Sequence, residues 1–328
     1  MKPRPSTDAS DPLPAGTDAG DPARAGRVAL VGKANVGKST LLNALLGERI
    51  AIVSPHPQTT REPVRGVLTV GPTQYVFVDT PGLHSPRSEL GKRMIKAALS
   101  TARDADAVVL LVEAPRADRE TPSFTAEREI IAQLAQGPKR TAILAINKID
   151  RLDDKAALLP MMAALGDARD FAAVVPISAK RKDGIDALLR ELALLLPEQP
   201  MLLPPDTLSD QPMRFFVAEF VREQILRHTK QEVPHGVAVV IERFEEGGPK
   251  TRIEATIHVA REAHKKIVIG AKGRMLKEIG TAARLRIEAL LACKVSLQLW
   301  VRATPGWMDD PARLRELGFS EGQDGDRT

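Results

Sequence analysis

Eight consecutive residues, Gly32-Lys33-Ala34-Asn35-Val36-Gly37-Lys38-Ser39, fit the pattern GxxxxGK[ST] and could cradle a run of phosphates. Glycines let backbone N–H groups converge on phosphate oxygens, and a helix opening at Ser39 would add its positive end. Lys38 could reach the β- and γ-phosphates, while the Ser39 hydroxyl could ligate Mg²⁺. Further on, Asp79-Thr80-Pro81-Gly82 supplies a carboxylate to hold Mg²⁺ through water and, at Gly82, an N–H to sense the γ-phosphate. Between these lies Gln58-Thr59-Thr60-Arg61-Glu62, where a threonine hydroxyl would complete the Mg²⁺ shell around a triphosphate. Thr60 is the first choice and Thr59 the alternative, because spacing does not separate them.

Two short segments address the base. In Asn147-Lys148-Ile149-Asp150 the Asp150 carboxylate could accept from both the N1–H and the N2 amino group of guanine, and Asn147 could meet the O6/N7 edge. Adenine presents no such donor pair and would leave a buried carboxylate unpaired. Ser178-Ala179-Lys180 offers a backbone N–H to O6. NKID alone could be an ordinary charged turn. In order with the other segments it points to GTP and GDP as ligands, with Lys38, Thr60 and Gly82 as the residues closest to the hydrolytic chemistry.

A different chemistry is suggested near the C-terminus. Gly270-Ala271-Lys272-Gly273, followed by Arg274, forms a GxxG turn ringed by Lys265, Lys266 and Lys277. A bare GxxG is weak evidence, but residues 261–294 carry 9 Lys/Arg against 3 Asp/Glu. A glycine turn in such a basic setting is how KH domains clamp the backbone of about four nucleotides.

The elements needed to position these groups are visible in the pattern. Short β-branched runs (Val28–Val31, Tyr75–Val78, Ala107–Val112, Ala142–Ile146, Ala173–Ile177) alternate with helical spacing at Ser39–Leu46, Glu89–Arg103, Ala126–Ala135 and Ile185–Leu196. That alternation predicts a mostly parallel sheet with helices on both faces, the α/β architecture that presents ligand loops at its strand ends. Pro197–Pro212 holds five prolines in sixteen residues and reads as a semi-rigid connector. Beyond it, a helix over Met213–His228, strands at Val237–Phe244 and Thr251–Ala260, an apolar segment Ile267–Ile269, a helix to about Leu291 and a strand Ser296–Val301 make a small α+β domain. The expected layout is a disordered extension over 1–25, the nucleotide domain over 26–198, a linker over 199–212, the RNA domain over 213–303 and a tail over 304–328.

The 328 residues include 43% hydrophobic and 27% charged side chains, a balance typical of globular domains, and no apolar run of membrane-spanning length. The N-terminal segment lacks the charged-then-apolar pattern of a secretory signal. The single cysteine, Cys293, excludes an internal disulfide, suits a reducing cytoplasm and is read as a small buried residue. The net charge of +5 is uneven, with 17 Lys/Arg against 10 Asp/Glu over residues 212–302, which favours a polyanionic partner for that part. Trp300 and Trp307 are expected to pack against the core and the tail. His228, His235, His258 and His264 show no metal spacing and are read as surface or RNA-facing.

With these segments in order, the chain resembles the Era-like family of P-loop GTPases over about Gly26 to Phe319. QTTRE, DTPGLHSP, NKID and SAK carry the resemblance in the first domain; GVAVVIERF, KKIVIGAKG, LQLWVRATPGW and LRELGF carry it in a type II KH domain. The resemblance implies GTP hydrolysis with Mg²⁺, and contact with the 3′ end of small-subunit 16S rRNA in rRNA processing and 30S subunit assembly. It also admits peripheral contact with the inner membrane and a monomeric, cytoplasmic protein. Leu83 stands where Ras-like GTPases carry the glutamine that orients the attacking water. Asn35 matches the residue that helps seat K⁺ beside the phosphates in related GTPases; the plain alternative is that it only caps the turn. Two other functions stay open at this level: an RNA chaperone that uses GTP structurally, and a membrane-peripheral signalling GTPase.

Overall fold

The structure is a computed structural model that describes residues 23–54, 56, 58–115, 124–136, 140–229 and 233–319. Most of the N-terminal extension and the last nine residues lie outside the described residues. Strands β1 (Arg24–Gly32), β2 (Val64–Val70), β3 (Thr73–Asp79), β4 (Ala107–Glu113), β5 (Thr141–Asn147) and β6 (Ala173–Pro176) form one sheet of order β2-β3-β1-β4-β5-β6. All pairs are parallel except β2 with β3. The strands β1, β3, β4 and β5 are buried almost end to end, as a parallel sheet covered on both faces requires.

Helices α1 (Lys38–Leu46) and α5 (Ile185–Leu195) cover one face; α2 (Glu89–Asp104), α3 (Thr125–Ala135) and α4 (Leu159–Gly166) cover the other. Ser88 starts α2 by accepting from the Gly91 N–H at 3.1 Å, and Gly47, at φ 72°, ends α1 in the left-handed conformation. Strand β2 and helix α4 have no counterpart in the sequence-based layout. In β2, Arg65 and Thr69 interrupt the apolar run; α4 is a short LPMMAALG segment that is apolar all round.

The proline-rich segment is stitched to the sheet edge. Gln74, fully buried, accepts from the N–H groups of Leu202 (2.8 Å) and Leu203 (3.0 Å). The Val67 N–H donates to the Leu208 carbonyl at 2.8 Å, and Arg65 pairs with Asp210 at 2.7 Å.

The second unit comprises α6 (Met213–His228), β7 (Val237–Glu245), β8 (Thr251–Val259), α7 (Glu262–Ile269), α8 (Arg274–Leu291) and β9 (Val295–Ala303), with the tail helix α9 (Pro311–Glu316). Its sheet order is β7-β8-β9, antiparallel then parallel. Ile253, Ala255, Ile257 and Val259 are buried on one face, as their alternation predicts, and Ile253, Ile257 and Val259 join the apolar cluster that also contains residues of α1 and α5 of the first unit.

Several local expectations change. Ile267–Ile269 is the last turn of α7, a full helix before the glycine turn. Cys293 is exposed, just after the left-handed residue that ends α8. Trp307 is fully buried and stacks on Phe319 with ring centroids 5.7 Å apart, but Trp300 is 47% exposed on the outer face of β9. His258 and His264 are buried, whereas the side chain of His235 lies outside the described residues. Among the described residues no helix is long and apolar enough to cross a membrane.

Candidate functional site

The loop between β1 and α1 closes around space that side chains would fill. A Cβ on Gly32 would lie 2.4 Å from the Leu111 carbonyl, and one on Gly82 would lie 2.7 Å from the Ala34 nitrogen. Asn35 adopts a left-handed backbone at φ 64°. Lys38 Nζ folds over the loop to donate to the carbonyls of Lys33 (2.8 Å) and Gly32 (3.2 Å). Burial pushes its ammonium down to about 8, against the opposing pull of Asp79; polyphosphate charge beside it would favour the protonated form.

Ser39, Thr60 and Asp79 converge at one point. Asp79 Oδ2 accepts from Ser39 Oγ at 2.6 Å and from Thr60 Oγ1 at 2.9 Å, and the two hydroxyls lie 3.1 Å apart. Adjacent oxygens of an octahedral Mg²⁺ shell, with bonds of about 2.0–2.1 Å, stand about 2.9 Å apart. The two hydroxyls therefore already span one edge of such a shell, with the Asp79 carboxylate hydrogen-bonded to both, where it could hold a metal-bound water. Asp79 is fully buried, and its Oδ1 has no hydrogen-bond partner among the described residues. Burial drives its carboxyl above the usual range, opposed by Lys38, Ser39 and Thr60. A hard cation is the partner that this acceptor set fits. Thr60 supplies the hydroxyl; Thr59 offers its carbonyl elsewhere.

The base loop is tied to the phosphate loop. Asn147 Nδ2 donates to the Val36 carbonyl at 2.8 Å, and Asn147 Oδ1 accepts from the Ala179 N–H at 3.0 Å. Asn147 thus welds three loops together, and its amide is engaged there rather than turned to a base edge. A Cβ on Gly37, whose φ is 105°, would meet Asn147 Nδ2 at 2.3 Å, so the second loop glycine is needed for this contact as well as for its backbone. Asp150 accepts from the buried Ser178 hydroxyl at 2.7 Å, which chiefly holds its carboxyl below the usual range. A permanent anion at that place suits a ligand edge with two donors. Ile149 and Lys180 lie beside it, and Thr80 and Pro81 are buried behind the phosphate loop, with Thr80 Oγ1 donating to the Leu30 carbonyl at 2.8 Å.

Three participants escaped sequence reasoning. Glu113, at the end of β4, pairs with Lys148 (2.7 Å) and Arg151 (2.9 Å), and Lys148 also reaches the Asn35 carbonyl at 2.7 Å. Glu113, Lys148, Arg151 and Gln58 line a cleft of about 410 Å³ together with the phosphate loop. Leu83 packs inward, 3% exposed, with its N–H on the Gly32 carbonyl at 3.0 Å. His84 is the next polar side chain: its Nδ1 lies 2.8 Å from the Gly82 carbonyl and its Nε2 2.9 Å from Gln58 Nε2. Those partners assign the proton to Nδ1.

The segment carrying Thr60 is gripped by the C-terminal unit. Arg222 of α6 donates to the Thr59 carbonyl while holding Glu219 through two bonds of 2.6 and 2.7 Å. Arg61 donates to the Val237 carbonyl and stacks over Trp307 at 5.7 Å. Burial pushes Glu62 up to about 7, reinforced by Glu219 and opposed by Arg222. The N-terminus of α2 is held likewise: the Leu90 N–H donates to the Met308 carbonyl (2.9 Å), and Arg93 Nη1 to the Phe319 carbonyl (2.5 Å). A third tie joins the loop after α1 to the buried Glu223, through Arg49 (3.5 Å) and Arg286.

At the glycine turn, Gly270 and Gly273 have φ of 71° and 78°, and Lys272 between them has φ 51°. A Cβ on Gly270 would strike the Met275 side chain at 2.6 Å, whereas Gly273 faces open space that a phosphate could enter. Ala271, Lys266, Lys272, Arg274 and Lys277 are exposed around it, and Lys265 is half-buried. Arg274 pairs with Glu278 at 3.0 Å; among the described residues no carboxylate pairs with the four lysines.

A family model described as a 50S ribosome-binding GTPase matches residues 27–148, and a KH domain model matches residues 232–308. GTPase Era of Geobacter metallireducens is 46% identical over 302 residues, covering 92% of this chain and 99% of its own. GTPase Era of Stenotrophomonas maltophilia is 44% identical over 299 residues, covering 91% and 98%. Two solved structures superpose with a TM-score of 0.84 at 36% identity, each over 90% of this chain and 99% of the other. One is a variant of Era from Aquifex aeolicus bound to GDP.AlF4−; the other is Era in complex with MgGDPNP and nucleotides 1506–1542 of 16S ribosomal RNA.

Proposed function

The chain belongs to the Era family of GTPases, and from that premise we propose that it is a GTP-switched clamp on the 3′ end of 16S rRNA that acts in 30S subunit assembly. It hydrolyses GTP to GDP and phosphate, uses Mg²⁺ with the nucleotide, and binds ribosomal RNA through its KH domain. The observation that carries the switch is the position of Thr60. Its hydroxyl sits in the Ser39–Asp79 cluster, while its neighbours Thr59 and Arg61 are held by Arg222, Val237 and Trp307 of the RNA-binding unit. A change in what Thr60 binds is therefore a change in what holds the KH domain.

In the nucleotide site, Lys38 and the N–H groups of Gly32 to Ser39 orient the triphosphate, and the Gly82 N–H meets its terminal phosphate. Ser39, Thr60 and Asp79 hold Mg²⁺, which supplies charge neutralisation at the phosphates. Asp150 selects guanine, Asn147 keeps the loops in register, and Leu83 takes no proton. Asn35, at the cleft wall, gives a carbonyl to Lys148 and has a side chain suited to K⁺, whose charge would substitute for an arginine finger. Turnover should then be faster by at least about tenfold in K⁺ than in Na⁺ buffer; equal rates sink the K⁺ role.

Crosslinking of the full chain to a 16S 3′-end RNA, with GTP analogue or GDP bound, tests the whole proposal. Crosslinks should centre on Gly270–Lys277 and depend on the nucleotide. Lys272→Asp with Arg274→Asp should abolish RNA retention and leave GDP binding intact. Identical crosslinking in both nucleotide states would falsify the switch.

A further inference from the structure

A second cleft, of about 230 Å³, opens at the end of the first sheet where β4 and β5 begin. These strands run seven residues before reaching the nucleotide loops, so the cleft lies about 20 Å from them. Leu99 and Ala102 of α2, Val108 of β4 and Leu134 of α3 make its floor. Arg103, Arg140 and Arg169 stand around its mouth.

These arginines are linked in a chain through backbone oxygens. Arg103 Nε donates to the Leu99 carbonyl (3.2 Å), Arg140 Nε to the Arg103 carbonyl (2.9 Å) and Arg169 Nη2 to the Arg140 carbonyl (2.6 Å). Each bond uses one of five guanidinium donors. Capping the carbonyl end of α2 explains Arg140 alone; it does not explain three guanidiniums at one opening. Among the described residues, no carboxylate lies within ion-pair distance of any of them; Arg140 and Arg169 are half-buried and Arg103 is exposed at the rim. Burial also weakens the charged form of Arg169, with no opposing carboxylate to restore it. Like charges gathered over an apolar floor, without a counter-charge, describe a site built for an anion from outside.

We propose that this cleft binds a small organic phosphate monoester, with the three guanidiniums holding the dianionic phosphate and the apolar floor holding the organic body. A monoester presents several oxygens to planar, bidentate donors, which suits three arginines better than a single carboxylate does. The volume restricts the body to about one ring system. Nothing in this site touches the GTP cleft, so both ligands bind at once.

The test uses the full chain saturated with GDP and Mg²⁺, titrated with naphthyl phosphate and followed by the probe's own fluorescence. Saturable binding at one site per chain is expected, with naphthol weaker by at least about tenfold, as loss of charge-assisted bonds implies. Arg103→Gln with Arg169→Gln should weaken the phosphate probe by at least about thirtyfold, while Arg103→Lys with Arg169→Lys, which keeps the charge but not the bidentate fork, should recover only part of that loss. GDP affinity should stay unchanged in both pairs, since neither arginine lines the nucleotide cleft. Equal binding by the glutamine pair, or no saturation at all, overturns the proposal. Displacement of the probe by a single-stranded RNA oligomer also overturns it, because the arginines would then be a nucleic-acid contact.

Discussion

Asn147 Nδ2 and the Val36 carbonyl are joined by a 2.8 Å hydrogen bond that bridges loops 111 positions apart in the chain. The same side chain accepts from the Ala179 N–H, so one buried amide sets the spacing between the phosphate loop and both base loops. Asn147→Ala strands at least two buried polar groups, each costing about 1–3 kcal/mol. It should lower the melting temperature of the nucleotide-free chain and weaken GDP and xanthosine diphosphate binding alike. A variant that loses guanine preference but keeps its stability would show that Asn147 contacts the base instead.

Asp150 carries the opposite expectation. Its carboxylate is held ionised by Ser178 and by nearby Arg181 and Lys180, and it stands only partly buried. Asp150→Asn should leave melting nearly unchanged while reducing GDP affinity at least about a hundredfold, because the amide cannot accept from two adjacent ring donors. Xanthine nucleotides, which reverse one donor, should bind the variant better than guanine nucleotides do. Competition binding with the two diphosphates checks this.

Neighbouring threonines should part company. Thr60→Ala removes a hydroxyl from the Ser39–Asp79 cluster and should slow GTP turnover by about tenfold or more, with a raised Mg²⁺ requirement. Thr59 contributes its backbone carbonyl to Arg222, so Thr59→Ala should turn over GTP close to the parent rate. Single-turnover hydrolysis across a Mg²⁺ series separates them.

Glu62 makes stability fall as pH rises. Burial and Glu219 lift its carboxyl from 4.5 to about 7, so between those values the folded chain keeps a proton that the unfolded chain has released. The destabilisation grows through that window and is complete above it. Glu62→Gln, neutral throughout, should therefore melt higher than the parent at pH 8 and close to it at pH 4.5. The gain should be about 1–2 kcal/mol after allowance for Arg222 and solvent. A gain that is the same at both pH values would place the charge elsewhere.

The candidate nucleotide-site residues are legible in sequence because the chemistry proposed for them depends on local spacing. A glycine loop before a helix, or an aspartate after a strand, is fixed within eight residues. The sheet was legible too, since β4 and β5 are buried on both faces and therefore read as unbroken apolar runs. What escaped depends on contacts across the chain. Asn147 is engaged by loops far from it in sequence, Glu113 becomes a wall of the cleft only because β4 ends beside β5, and β2 is a strand because it pairs with β3. Packing of Trp307 on the core and tail is expected; that Trp307 and Phe319 also cover Leu90 and Met94 of α2 has no local signal.

That docking has a bearing on how the enzyme is studied. Leu90 and Met94 are shielded by Trp307 and Leu314, and Arg93 rests on the carbonyl of Phe319. A catalytic fragment trimmed before Met213 would leave that greasy helix face wet and its arginine adrift. Rates measured on such a fragment would describe a differently tensioned machine.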